Sequence, residues 1–180
     1  SGRRYRVFFR LLLETGLRIG EAVAVGVKDV DLDARVLYVR CGKGAKDRIV
    51  PLTEGMAEDV RRYLQRLRPR PASPEDAPYL WLTRTGHRLS KSTVRVALEA
   101  VCKRAGLDPT RLHPHAWRAA FASRLARAGV PLTTIQELMG HASPVTTAHY
   151  VGVAPQAMRE AVERAALAAA QDAAPGGDGR

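Results

Sequence analysis

The stretch "HPHAWRAAFASRLARAG", His113 to Gly129, reads as a helix with both ends marked. Pro114 suits the first helical position, where a missing N–H costs nothing, and Gly129 suits the position just past the last turn. Between them Trp117, Phe121, Leu125 and Ala128 recur at spacings of four, four and three, an apolar stripe that belongs against a core. At about 100° per residue, His115, Arg118 and Ala122 fall roughly a quarter turn off that stripe. A histidine and an arginine at the edge of the buried face are either ordinary polar neighbours of the core or two donors that could converge on a phosphate.

Working outward from this helix, the rest of the chain punctuates itself clearly. "YRVFFRLLLETG" carries enough Phe and Leu for a buried helix ending at Gly16, and "LRIGEAVAV" restarts a helical pattern with Arg18 and Glu21 three apart on one face. "ARVLYVR" alternates, "CGKGAK" supplies turn glycines, and "DRIVPL" is a second short strand, so a β-hairpin with Lys43 at its tip is predicted. Thr53 caps a helix through Leu67. The proline-rich "RPRPASPEDAP" is a loop, "YLWLT" is predicted as a third strand, and Ser90 caps the helix "KSTVRVALEAVCKRAG". Downstream, "PLTTIQELMG" is a short helix, "APQAMREAVERAALAAAQ" a last one, and "DAAPGGDGR" a disordered end. The expected fold class is mixed α+β, mainly α-helical, with a small three-stranded antiparallel sheet. Residues 1–165 form the folded unit in this reading and 166–180 a flexible C-terminal tail.

At 180 residues the chain is long enough to bury one real core. Lys and Arg number 29 against 18 Asp and Glu, a net +11 that points to a polyanionic partner, with nucleic acid as the first choice. No apolar run approaches membrane-spanning length. Cys41 and Cys102 stand 61 positions apart, outside any C-x-x-C pair, so neither a disulfide framework nor a zinc ribbon is indicated and a reducing cytoplasm is the default. His113, His115, His141 and His149 lack the spacings of a structural zinc site, and no metal or cofactor is expected. His113 leads into its helix, and His87 belongs to a surface loop.

Taken singly, the polar motifs have modest readings. Lys43 between glycines is a solvated turn lysine, and Arg18 with Glu21 an exposed helical ion pair worth a few tenths of a kcal/mol, unless partners converge on them. "MGHASPVTTAHY", Met139 to Tyr150, is a capped turn, with Gly140 ending one helix and Ser143-Pro144 opening another, or else half of an active site.

In order, these pieces resemble the catalytic domain of the tyrosine recombinase family, the phage integrases and Xer-type recombinases. The resemblance covers roughly residues 5 to 155 and rests on "TGLRIGE", "GKGAKDRIVPL", "HPHAWRAAFASRL" and "LMGHASPVTTAHY". It makes Arg18 and Arg118 the catalytic arginines, Lys43 the hairpin lysine, His115 and His141 the two histidines, Tyr150 the nucleophile, and Glu21 a supporting acid. Ala119 stands where members commonly have histidine, and Val151-Gly152 where a further histidine is frequent.

The implied activity is site-specific DNA cleavage and rejoining through a covalent 3′-phosphotyrosine, serving integration or excision for a phage or mobile element. Three neighbours share the resemblance: Xer-like resolution of chromosome or plasmid dimers, type IB topoisomerase-like relaxation, and an inactive DNA-binding module. The chemistry suits the residues. Guanidinium forks complement the charge that gathers on the non-bridging oxygens. A tyrosine near pKa 10 is ionised to roughly one part in a thousand at neutral pH, a deficit of about 4 kcal/mol that a base or cationic surroundings must offset. The implied partner is double-stranded DNA, bound by a monomer in isolation and by a homotetramer at full length, in the cytoplasm and at the nucleoid. The family also carries an N-terminal helical DNA-binding domain; only fourteen residues precede Thr15, so an isolated catalytic domain is expected.

Overall fold

The computed structural model describes residues 2–40, 47–110, 112–140 and 156–172. Helix α5 (Pro114–Arg127) forms where its stripe and end signals place it. His113 is its N-cap, Nδ1 accepting the Ala116 amide at 3.2 Å, and Gly129 follows it in the left-handed region at φ +72°. The apolar stripe divides between two clusters. Trp117 joins the larger core, whereas Phe121 and Leu125 join a second one.

The larger core is built on α1 (Gly2–Thr15), whose Val7, Phe8, Leu11 and Leu12 are buried on one face. Phe8 meets the edge of Trp81 at 5.3 Å between ring centres, and Phe9 does the same to Trp117 at 5.5 Å. Short α2 (Ile19–Ala24) leads through a 3-10 turn at Val27–Asp29 into a sheet of β1 (Val30–Asp31), β2 (Val36–Val39) and β3 (Arg48–Pro51). All pairings are antiparallel, and the β2–β3 register runs from Val36 opposite Pro51 to Val39 opposite Arg48. Val36, Leu37, Val39 and Val50 are buried. Helix α3 (Glu54–Arg62) is capped by Thr53, which accepts the Met56 amide at 3.1 Å, and widens into a π turn over Tyr63–Leu67. Helix α4 (Lys91–Ala105) is capped by Ser90 and ends at Gly106.

The sheet has the expected three strands, but the third is Val30–Asp31 and not "YLWLT". Around Leu80 only isolated bridges form, Gly26 with Tyr79 and Leu82 with Arg88. The physical reason is that remote groups already satisfy this backbone. The Tyr63 hydroxyl donates to the Leu80 carbonyl at 3.1 Å and accepts the Leu82 amide at 3.2 Å. Arg68 donates to the carbonyls of Ala77, Tyr79 and Leu80. Side chains, with single backbone bonds to Val25, His87 and Leu89, take the place of a continuous neighbouring strand.

The second cluster unites α5, α6 (Leu132–Met139) and α7 (Gln156–Asp172). Met158, Ala161, Val162 and Ala165 of α7 are buried beside Phe121, Leu125, Ile135 and Leu138. Helix α7 therefore docks on its own domain, and it continues through the boundary expected at 165 and 166 to Asp172. Among the described residues no helix is long and apolar enough to cross a membrane.

Candidate active site

Where α1 ends, the chain must turn sharply beneath α5. Gly16 does so at φ +62°, and a Cβ there would lie 2.4 Å from Phe121 Cδ1. This close approach brings the Gly16 carbonyl under Arg118. Arg118 is only 8% exposed, and its guanidinium donates to the carbonyls of Gly16 and Met139. Desolvation, then repulsion from Arg18, lower its pKa to about 10; Glu21 pulls the other way and Arg48 adds to the repulsion. It remains a full cation at neutral pH.

Arg18 is the residue before α2, and Glu21 reaches back to it as an N-terminal capping acid. One Glu21 oxygen accepts the Arg18 amide at 2.8 Å, and the other accepts Arg18 Nη1 at 3.2 Å. The pair is not the exposed surface bridge that its spacing suggests. The Arg18 side chain is half exposed, but the Glu21 side chain is nearly buried and is shared with a second arginine. Arg48, the first residue of β3, donates Nη1 and Nη2 to the two Glu21 oxygens at 2.9 Å each and Nε to the Leu138 carbonyl at 3.1 Å. Burial alone would raise the Glu21 carboxyl. The hydrogen bonds and charge of Arg48, then those of Arg18, outweigh it and hold the group below the ordinary carboxylate value.

Arg48 was not among the residues singled out from sequence. In "DRIVPL" it is one more basic strand residue, and no local spacing marks it. His115 lies on the first turn of α5, one turn ahead of Arg118, exposed and with its ring centre 6.4 Å from that of His113. Arg18, Glu21 and Arg118 thus share one electrostatic neighbourhood. Lys43, His141 and Tyr150 lie outside the described residues. Among the described residues no group of His, Cys, Asp and Glu is arranged to hold a metal ion. Two guanidiniums on one carboxylate, with Arg118 close enough to feel their charge, leave an excess of positive charge, with Arg18 as the arm that reaches solvent. Such an arrangement attracts an oxyanion and can stabilise further negative charge on it.

The chain is similar to known proteins along most of its length. The model of the phage integrase family matches residues 1–157. Tyrosine recombinase XerA of Pyrococcus furiosus is 36% identical over 167 residues, covering 91% of this chain and 55% of its own length. Tyrosine recombinase XerD of Corynebacterium glutamicum is 38% identical over 157 residues, covering 87% of this chain and 51% of its own. The crystal structure of XerA recombinase aligns with a TM-score of 0.69 at 33% identity, over 88% of this chain and 56% of that one. The chain spans about half the length of the curated relatives it matches. Matched along most of its length by the family model and by relatives more than a third identical, the chain belongs to the phage integrase family and has the tyrosine recombinase catalytic-domain fold.

Proposed function

We propose that this chain is the catalytic domain of a site-specific DNA recombinase, which cuts and rejoins strands through a covalent 3′-phosphotyrosine and serves DNA integration or excision. The observation that carries the proposal is the pairing of Arg18 and Arg48 with the Glu21 carboxylate, beside Arg118 held on the carbonyls of Gly16 and Met139. A phosphodiester resists attack because the nucleophile approaches an anion, and fixed cations lower that barrier where the charge develops. Arg18 and Arg118 are the phosphate-facing cations in this mechanism, and Arg48 neutralises Glu21 behind them.

Tyr150 attacks the phosphorus, and His115 accepts the phenol proton. The bond from phosphorus to the 5′ oxygen breaks, and Lys43 protonates the leaving oxygen. His141 donates to the phosphate. A 5′-hydroxyl from the partner strand then attacks the phosphotyrosine and releases Tyr150. One phosphoester replaces another at each step, so the balance requires no ATP hydrolysis, and the arginines supply the positive charge at the phosphate. The partner is double-stranded DNA in the cytoplasm, at the nucleoid. Exchange between two duplexes cuts strands at four positions, which a symmetric tetramer of full-length chains would serve, each copy bringing one tyrosine.

The test is a nicked suicide substrate, from which the cut strand's end diffuses away and traps the covalent complex. Wild type should give a protein–DNA adduct that survives denaturation, and Tyr150→Phe should give none. An adduct that persists in the Phe variant overturns the assignment of the nucleophile.

A further inference from the structure

Strand β3 brings to this site a residue to which the motifs assigned no role. The Arg48 side chain is 9% exposed and lies between Glu21 and the end of α6. Its two terminal nitrogens grip both Glu21 oxygens at 2.9 Å, the paired geometry in which a planar guanidinium matches a carboxylate. Its third nitrogen holds the Leu138 carbonyl. Gly140 ends α6 at φ +64°, and a Cβ there would fall 2.7 Å from Arg48 Nη1, so the guanidinium lies close against bare backbone. Arg118 holds the next carbonyl along, that of Met139. Two arginines from different elements therefore cap adjacent carbonyls at one helix end.

We infer that Arg48 is a positioning residue for strand cleavage: its two-pronged grip on Glu21 aims Arg18, and its bond to Leu138 sets where α6 ends beside Arg118. The inference rests on the recombinase reading above. Arg18 is a long, half-exposed side chain whose own bond to Glu21 measures 3.2 Å. If the carboxylate could rotate, that contact would not fix a direction. Arg48 also pairs with Glu21 through two bonds at 2.9 Å against the single 3.2 Å bond of the Arg18 side chain, which leaves Arg18 available to an incoming phosphate. Without Arg48, Glu21 would turn its full charge on Arg18 and compete with the substrate for it.

Charge pairing separates this role from a DNA contact. Both terminal nitrogens of Arg48 are taken by the Glu21 carboxylate, which neutralises it, whereas Arg118 donates to carbonyls and keeps its charge for a phosphate. Its loss should therefore slow cleavage at saturating DNA while leaving DNA affinity nearly unchanged. The alternative, a purely structural tie, predicts a lower melting temperature with an unchanged cleavage rate in the folded fraction.

The experiment measures single-turnover cleavage of the suicide substrate and DNA affinity separately, in wild type, Arg48→Met, Arg48→Lys, Glu21→Gln and the Arg48→Met/Glu21→Gln double variant. Arg48→Met should cut about tenfold to a hundredfold more slowly at saturation, the scale of a misplaced catalytic group. Arg48→Lys keeps the buried charge but not the fork, should recover only part of that loss, and carries the test where the Met variant is unstable. The double variant should be no slower than Arg48→Met, because both changes act through one carboxylate. A wild-type rate in folded Arg48→Met, full recovery in Arg48→Lys, or additive losses in the double variant would each overturn the inference while wild type still forms its adduct. No adduct from wild type overturns the recombinase reading and this inference with it.

Discussion

At Gly16 one missing Cβ decides how close α1 can come to α5. The backbone there is left-handed, and the added atom would sit 2.4 Å from a ring carbon of Phe121, which is itself fully buried. Gly16→Ala should therefore cost about 2–4 kcal/mol, combining left-handed strain with overpacking. Urea unfolding checks the figure, and a loss below about 0.5 kcal/mol, the size of a neutral surface change, would refute the account. Cleavage should slow as well, because the Gly16 carbonyl anchors Arg118. At this scale the sequence singled out residues and was silent about their burial. Arg18, Glu21 and Arg118 were legible because their motifs carry them, yet Arg118 proved to be buried and Glu21 to be shared. Arg48 was illegible because its importance arises only when β3 passes α2 and the end of α6, a contact that no local spacing encodes.

Elements whose signals are local were legible as elements. Thr53, Ser90, His113 with Pro114, and Gly140 all sit at the helix ends they predict, since a cap acts within one turn of itself. "YLWLT" failed for the opposite reason: its backbone is shared among the side chains of Tyr63 and Arg68, 17 and 12 residues away from Leu80, and single backbone bonds to Val25, His87 and Leu89. Helix α7 shows both kinds of information. Its apolar face was visible in sequence, but its docking place was not. Met158, 8% exposed, packs into the second cluster, while Glu163 accepts the Glu54 amide at the start of α3 at 3.2 Å and pairs with Arg35 at 3.5 Å. Glu163 is well placed for the positive end of α3, but it and Arg35 are both partly exposed, so solvent screens the pair. Met158→Ala should thus loosen α7 by about 2–4 kcal/mol and Glu163→Ala by less than about 1 kcal/mol. Hydrogen exchange along α7 reads both, and a larger effect from Glu163 would show that charge and not packing holds the helix.

Over the whole molecule, the site lies on the seam between the two apolar clusters. Gly16, Glu21 and Arg48 approach it from elements of the larger core, Leu138 and Met139 from the second, and Arg118 stands on the helix that belongs to both. Folding both clusters is therefore a condition for gathering the arginines, and their mutual repulsion is tolerated because carbonyls and Glu21 surround them. The surplus is not confined to the seam: the chain as a whole carries 29 basic against 18 acidic residues. DNA association driven by such a surface releases condensed counterions, so its strength must fall with salt. Neutralising only two phosphates gives a slope near −1.8 in log affinity against log salt, about a twelvefold loss between roughly 50 and 200 mM. Titration of a labelled duplex at several salt concentrations should show at least that slope in wild type. Arg18→Ala should make it shallower by about one phosphate's worth, while Arg48→Met, buried away from DNA, should leave it unchanged. A slope shallower than about −1 in wild type would mean that the basic excess is spread too thinly to serve as a DNA-binding face.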